Sequence, residues 1–219
     1  MRLIPSRRGA PDRAAAIGSC RPLAESYDAS CKWLERPRRP AIELLGSREG
    51  ETVIDVACGT GPMLPELARR VGLNGRVIGL EQSAEMLALA RQRVRNESIG
   101  HTVILAEAPA EEFSCEERAD APLFFYAHDV LQSAAALSRL FAHARPGARV
   151  VVAGARFLPW WAAPLNLWTA LRARRYLTTC RGLTRPWRRL ERECPDFSPL
   201  ASNFLGTGYL GAGTYRGPR

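Results

Sequence analysis

Hydrophobic positions along residues 52–155 form five short runs, separated for the most part by stretches with helical spacing. The apolar runs are 52–57, 76–81, 102–107, 121–128 and 145–155. Short runs that are apolar at nearly every position predict strands buried on both faces of a sheet. Apolar residues recur at helical intervals in 61–72, 133–144 and 84–95, the last with Ser83 as its expected N-cap. This alternation predicts βαβ units and an α/β fold with a doubly wound, mainly parallel sheet of the Rossmann-like type.

The two ends of the chain follow different patterns. Residues 1–40 contain five prolines and scattered arginines, which predicts an irregular start with one short helix. A short helix ended by Gly46 is expected next, from 41. Residues 203–216 are glycine-rich with alternating apolar positions, a pattern typical of a closing β-hairpin. We therefore expect one domain in three parts: an N-terminal lid (1–40), a core (41–155) and an aromatic, arginine-rich segment that ends in the hairpin (156–219).

The composition excludes several classes of protein. With 219 residues, 46% of them hydrophobic, the chain is too apolar to be disordered. It has no apolar run of the roughly 18–20 residues that a membrane-spanning helix needs. The six cysteines are scattered, at 20, 31, 58, 115, 180 and 194, with no CxxC pair. This spacing argues against a structural metal site and fits a reducing cytoplasm, and no secretory signal is evident.

The net charge of +9 is unevenly distributed. Residues 1–40 carry +5, residues 41–155 carry −4 and residues 156–219 carry +8, so an acidic centre lies between two basic ends. Of the 31 basic residues, 30 are arginine, an excess that a coding sequence rich in G and C would also produce. The basic ends leave nucleic acid, an anionic membrane surface or an acidic substrate open as partners.

Candidate ligand-binding residues follow the first predicted strand. In parallel α/β sheets ligands bind beyond the carboxyl ends of the strands, and here Asp55 is followed by a turn with Gly59 and Gly61. Leu64 occupies the position of the third small residue in the dinucleotide fingerprint, and no Gly-Lys-Ser/Thr sequence follows, so neither a dinucleotide site nor a P-loop is indicated. Asp55 would repel a pyrophosphate and attract a cation.

Three motifs together resemble the class I S-adenosylmethionine-dependent methyltransferases, in particular small-molecule enzymes of the type 11 kind. Residues 53–61 read VIDVACGTG, residues 81–87 read EQSAEML, and HARPGARVVV leads into the fifth strand at 143–152. The resemblance implies a seven-stranded sheet and S-adenosyl-L-methionine as cofactor, with Glu81 on the ribose hydroxyls and Asp55 orienting the glycine loop and the ammonium group. The cofactor-binding residues that it implies are Tyr27, Asp55, Ala57, Cys58, Gly59, Gly61, Glu81, Gln82, Met86 and Ala110.

Two positions depart from the family pattern. Ala57 replaces the first glycine of the loop, where its methyl group should tighten the turn without blocking it. Pro109 stands where many relatives have an aspartate that binds the adenine amino group, and proline offers neither a side-chain acceptor nor an N–H. Glu107, Glu111 and the backbone N–H of Ala110 are the candidates to replace that aspartate.

The acceptor end is less sharply defined. The resemblance places His128 and Asp129, at the end of the fourth run, where substrate meets the methyl donor. His128 is either a packed imidazole at a helix start or in the core, or a base or substrate orienter, with Asp129 supporting it or capping the following helix. The surrounding YAHDVL (126–131) lacks the Pro-Pro-aromatic signature of nucleic-acid amino methyltransferases, which counts against methylation of adenine or cytosine.

Aromatic residues in the last part of the chain allow three interpretations. They are Trp160, Trp161, Trp168, Tyr176 and Trp187. They line an acceptor cavity, form the core of a small subdomain, or belong to an interfacial helix on a membrane surface. Pro159 and Pro164 argue against the continuous helix that the third interpretation needs.

The sequence thus predicts an S-adenosylmethionine-dependent methyltransferase, active without a metal, that transfers a methyl group to a small molecule by in-line displacement. Two alternatives stay open: a methyltransferase acting on RNA or lipid through the basic ends, and a module that binds the cofactor without catalysis. Nucleic acid is not the favoured partner, and peripheral contact with a membrane stays open.

Overall fold

The computed structural model describes residues 9, 11–20, 32–173, 176–201 and 205–218. The strands are β1 (Thr52–Val56), β2 (Arg76–Glu81), β3 (Val103–Glu107), β4 (Ala121–Phe125), β5 (Arg149–Ala155), β6 (Ser198–Ala201) and β7 (Gly208–Thr214). They form a seven-stranded sheet in the order β3-β2-β1-β4-β5-β7-β6. The pairs among β1 to β5 are parallel, and β7 runs antiparallel to both β5 and β6. The predicted Rossmann-like, mainly parallel sheet with a C-terminal hairpin is confirmed.

Seven α-helices and short 3₁₀ turns connect the strands within the described residues. The helices are α1 (Arg13–Cys20), α2 (Glu35–Leu45), α3 (Leu64–Val71), α4 (Ala84–Asn96), α5 (His128–Leu131), α6 (Ala134–Ala142) and α7 (Ala163–Ala173). Ser83 caps α4 by accepting a hydrogen bond from the Met86 N–H, as predicted. Gly46 ends α2 in the left-handed conformation, also as predicted. None of these helices has the length and apolar character needed to cross a bilayer.

Side chains of the central strands alternate between two hydrophobic clusters, one on each face of the sheet. Val53 of β1 packs with α2, α3 and α4, whereas Ile54 and Val56 pack with α6. The α6 cluster continues into the last part of the chain, where Trp187 contacts Phe197 and Tyr209. The residues after β5 therefore share the main core of the domain.

Three boundaries differ from the prediction. Helix α2 begins at Glu35, before the two prolines expected to precede it, because Pro37 lies in the first turn, where backbone N–H groups have no helical partner. Strand β4 ends at Phe125, since Tyr126 adopts a positive φ of 57° that an extended strand does not allow. The hairpin begins at β6, before residue 203, so 203–216 holds only its second strand among the described residues.

The expectation that Pro164 breaks a helix is wrong. Pro164 is the second residue of α7, and its missing N–H costs nothing in a first helical turn. Trp160–Ala162 forms a 3₁₀ turn that leads directly into this helix. The aromatic segment is thus helical from 160 to 173.

Candidate active site

A cavity of about 390 Å³ opens beyond the carboxyl ends of β1, β2 and β4, within the range of small-molecule sites. Its walls come from the predicted core and from both ends of the chain. The predicted site residues that line it are Asp55, Ala57, Cys58, Gly59, Glu81, Gln82, Met86, Ala110, His128 and Asp129. The sheet topology thus brings together residues up to 74 positions apart in the sequence, from Asp55 to Asp129, as the strand-end rule predicts.

The glycine loop turns sharply after β1. Ala57 and Gly59 have φ values of 58° and 59°, and the Cys58 N–H donates to the carbonyl of Leu80 at 3.0 Å. Ala57 therefore holds a left-handed conformation that glycine adopts more cheaply, a strain of the kind found at ligand-binding turns. The loop is fixed to the end of β2 by this bond, with its backbone along the cavity.

Gly61, which was predicted to bind the cofactor, lies behind the glycine loop. It does not line the cavity; a β-carbon on it would lie 2.6 Å from Cδ1 of Leu64 and 3.2 Å from Cβ of Ala90. Its φ is +71°. Gly61 allows the close packing of α3 on α4 behind the loop.

Glu81 ends β2 with a nearly buried side chain. Its Oε2 accepts a hydrogen bond from the Gly59 N–H at 3.1 Å and its Oε1 accepts one from the Ser83 N–H at 2.8 Å. Burial raises the pKa of Glu81, and these N–H groups oppose the shift. Each carboxylate oxygen has a further lone pair, so Glu81 still has the capacity to accept two hydrogen bonds from a ligand.

Asp55 lies 2% exposed beside the loop. Burial, and secondarily the negative charge of Glu81, raise the pKa of Asp55 to about 7, while the charge of Arg38 opposes the shift. Two carboxylates thus share one wall of the cavity, an arrangement that favours a cationic ligand.

Arg38 of α2 is a lining residue that the sequence analysis missed. Its Nε is buried and has no hydrogen-bond partner among the described residues. A buried guanidinium donor without an acceptor is costly, so the Nε of Arg38 is a candidate to donate to a ligand in the cavity. No local pattern in 37–40 distinguishes this arginine from its neighbours, so nothing in the sequence singled it out.

The residues after β3 show which of the three candidates for adenine recognition lie at the cavity. Ala110 and Pro109 line the cavity, whereas Glu107 is half-exposed and pairs with Arg91 at 3.0 Å. Glu111 also lines the cavity, where its Oε1 accepts the hydroxyl of Ser133 at 2.6 Å. Of the three candidates, Ala110 and Glu111 face the cavity.

His128 begins α5; it does not end β4. Its Nε2 lies 3.0 Å from the carbonyl oxygen of Arg181. Because that carbonyl only accepts, Nε2 carries the proton and Nδ1 is the bare acceptor of the neutral ring. Nδ1 is buried without a partner among the described residues, and burial lowers the pKa of His128 despite the opposing charge of Asp129. The geometry thus gives a neutral imidazole with one acceptor nitrogen unused.

Asp129 bonds to the last part of the chain. Its Oδ2 accepts the Thr178 N–H at 3.1 Å and the Thr178 hydroxyl at 2.6 Å. The same hydroxyl oxygen accepts the Asp12 N–H at 3.0 Å. Asp129 therefore fastens the segments before α1 and after α7 over the cavity, and does not hydrogen-bond His128.

Aromatic side chains divide between the cavity and the surface. Tyr126 and Tyr176 line the cavity, and burial raises the pKa of Tyr126 to about 12. Trp187 is buried in the core, and Trp160, Trp161 and Trp168 are exposed. The interpretation that the tryptophans line an acceptor cavity is wrong for these four. Tyr27 lies outside the described residues.

The core of the chain is similar in sequence to known methyltransferases. Residues 53–147 match the family model described as a methyltransferase domain. The chain is 48% identical over 56 residues, 26% of its length and 25% of the relative's, to 2-phytyl-1,4-naphtoquinone methyltransferase of Thermosynechococcus vestitus. It is 32% identical over 122 residues, 52% of its length and 47% of the relative's, to ubiquinone/menaquinone biosynthesis C-methyltransferase UbiE of Proteus mirabilis. The chain thus spans half or less of the length of these curated relatives.

A solved structure shares the fold. The S-adenosylmethionine-dependent O-methyltransferase of Thermotoga maritima superposes with a TM-score of 0.57 at 18% identity, over 82% of this chain and 64% of that one. By the match to the family model, residues 53–147 form a methyltransferase domain, and the loop and the strand-end acid agree with the class I S-adenosylmethionine-dependent methyltransferases. The cofactor of that family is S-adenosylmethionine.

Proposed function

We propose that this protein transfers a methyl group from S-adenosylmethionine to a carbon of a small quinol-type aromatic acceptor. The observation that carries the proposal is one cavity lined by two carboxylates, Asp55 and Glu81, and by His128, whose Nδ1 has no hydrogen-bond partner among the described residues. One named relative is a naphthoquinone methyltransferase and the other is a C-methyltransferase of quinone biosynthesis, which supports an aromatic acceptor of this class.

The charged residues present fit the methyl donor. Glu81 would accept the ribose hydroxyls through its remaining lone pairs. Asp55 would pair with the ammonium group. The Nε of Arg38, which has no partner among the described residues, would donate to the carboxylate of the methionine part. Ala110 and Pro109 would contact the adenine. When bound, the cofactor supplies an electrophilic methyl group whose bond to sulfur breaks with the electron pair left on sulfur.

His128 would prepare the acceptor. Its neutral Nδ1 accepts the proton of an aromatic hydroxyl, and the resulting phenolate makes the neighbouring ring carbon nucleophilic. As the new carbon–carbon bond forms, the methyl–sulfur bond breaks. The ring carbon then loses its own proton, so that one proton is released for each methyl group transferred. Tyr126, which burial keeps protonated, would hydrogen-bond the second oxygen of a quinol.

Methyl transfer is tested with donor labelled in the methyl group and a panel of naphthoquinols, benzoquinols and simple phenols, followed by mass spectrometry and NMR of the products. A labelled C-methyl quinol is the expected product. Labelled O-methyl ethers alone would contradict carbon methylation. Tight donor binding with no transfer to any acceptor would instead favour the non-catalytic module.

A further inference from the structure

The surface that residues 160–173 present to solvent is mainly apolar. Apart from Arg172, its exposed large side chains are apolar: Trp160 (87% exposed), Trp161 (67%), Leu167 (50%), Trp168 (43%) and Leu171 (42%). The uncharged polar side chains of α7 bond within the fold: Asn166 pairs with both backbone groups of Leu158, and the Thr169 hydroxyl donates to the Leu165 carbonyl. A surface helix in water shows the opposite pattern, so this face is built for an apolar contact.

The chain around this helix is strongly basic. Residues 156–190 contain eight arginines and no acidic residue. The guanidinium carbon of Arg172 lies 4.9 Å from the ring centre of Trp168 and 5.3 Å from that of Trp33. These contacts place a cation among exposed indole rings, a combination that suits the interface of a bilayer with anionic headgroups.

This face is continuous with the cavity. Trp33 packs edge-on against Tyr126 with ring centres 5.4 Å apart, and Tyr126 lines the cavity. On the other side, the Tyr176 N–H donates to the carbonyl of Ala173 at the end of α7, and Tyr176 also lines the cavity. A ligand lying in an apolar layer against α7 is therefore one aromatic side chain away from the candidate active site.

The positive charge of this surface distinguishes between the partners that could bind it: a second copy of the chain, RNA or an anionic bilayer. A second copy of this chain would bring two equally basic surfaces together, and the like charges would repel. RNA would neutralise the arginines, but its bases stack on aromatic rings and would leave the aliphatic side chains of Leu167 and Leu171 without a partner. An anionic bilayer satisfies both features, because indole and leucine side chains enter the interface while arginines remain at the phosphates.

We propose that residues 160–173, with Trp33, form a docking face for the surface of an anionic lipid bilayer. The tryptophans lie at the headgroup level and α7 lies parallel to the membrane plane. Docking delivers acceptors dissolved in the bilayer to the cavity behind Tyr126 and Tyr176. The docking itself needs neither methyl donor nor acceptor, so it is measured independently of the proposed methyl transfer.

The test is co-sedimentation of the intact chain with vesicles of phosphatidylcholine alone and of equal parts phosphatidylcholine and phosphatidylglycerol. The test variant carries Trp160→Ser and Trp161→Ser, both at exposed positions, so the fold is retained and is checked by circular dichroism. The matched control is Leu73→Ser, which removes an equally exposed apolar side chain (73%) between α3 and β2.

The proposal predicts binding to the anionic vesicles that falls about tenfold or more in the double variant, and unchanged binding of Leu73→Ser. Absent binding of the wild-type chain, or equal binding of the double variant, would overturn it. Self-association in the ultracentrifuge that the same two substitutions abolish, without vesicle binding, would assign the face to a second copy. Tighter binding to a single-stranded RNA than to vesicles, lost in the double variant, would assign it to nucleic acid.

Discussion

The carboxylate of Glu81 accepts a hydrogen bond from the backbone N–H of Gly59 at 3.1 Å. This bond joins the end of β2 to the turn after β1, so the acid expected to hold a ribose also shapes the loop expected to hold the methionine part. The two halves of the candidate cofactor site are therefore coupled before any ligand binds, and substitutions on either side should affect both.

Gly61 is predicted to matter for packing more than for binding. Gly61→Ala should lower the free energy of unfolding by about 2–4 kcal/mol, because the new methyl group overlaps Leu64 and the positive φ becomes strained. Gly147→Ala is the matched control, since Gly147 also has a positive φ but no atom within 4 Å of the added carbon. Urea unfolding measures both; equal losses would show that the overlap with Leu64 is relieved at no cost.

Asp55 should make the stability of the unliganded protein depend on pH. Its pKa of about 7 in the fold lies above the value of about 4 in an unfolded chain. The folded state therefore holds this proton more tightly. The resulting stabilisation is complete below about pH 4 and is lost as the pH rises to about 7. Asp55→Asn should remove this slope, as measured by the difference in unfolding free energy between variant and wild type across that range. If the difference in unfolding free energy does not change with pH, the raised pKa of Asp55 would be contradicted.

His128 should affect the rate of methyl transfer more than donor binding. His128→Ala should lower kcat by about 10²–10⁴-fold, because a general base contributes in that range, and should leave the Kd of S-adenosylmethionine nearly unchanged. Because burial lowers the pKa of His128, the wild-type rate should fall only below the ordinary pH range of histidine titration. The control is His143→Ala, whose ring packs against Phe113 outside the cavity. Equal rates of methyl transfer in the two variants would show that His128 serves only in packing.

Thr178 should control how firmly the two ends of the chain cover the cavity. Thr178→Val removes a hydroxyl that bonds both Asp129 and Asp12, and should speed hydrogen exchange of the Ala15 and Ala16 amides by about tenfold. Thr178→Ser keeps the hydroxyl and should restore the wild-type rate. Exchange that is identical in the valine variant would show that other contacts hold this segment.

The central residues of the site could be predicted from the sequence because apolar runs mark the strands and show where each strand ends. Glu81 closes the run 76–81, Asp55 lies near the end of the run 52–57, and parallel strands bring such ends to one edge. Residues contributed by the ends were not predictable in this way. Arg38 and Tyr176 reach the cavity through long-range packing, and Tyr126 is set by a backbone turn with no local signal. The exposure of Trp160 and Trp161 likewise depends on which face of the helix meets the sheet.

The account depends most directly on Glu81 as a ligand of S-adenosylmethionine. Calorimetric titration at pH 8, where Asp55 is largely charged, compares wild type with Glu81→Gln and Glu107→Gln. Glu107 is the register partner of Glu81 on β3, but its half-exposed side chain lies outside the cavity. We predict one binding site in the wild type, binding weakened by about tenfold or more in Glu81→Gln, and unchanged binding in Glu107→Gln. No saturable binding by the wild type, or equal affinity in all three proteins, would contradict the assigned site.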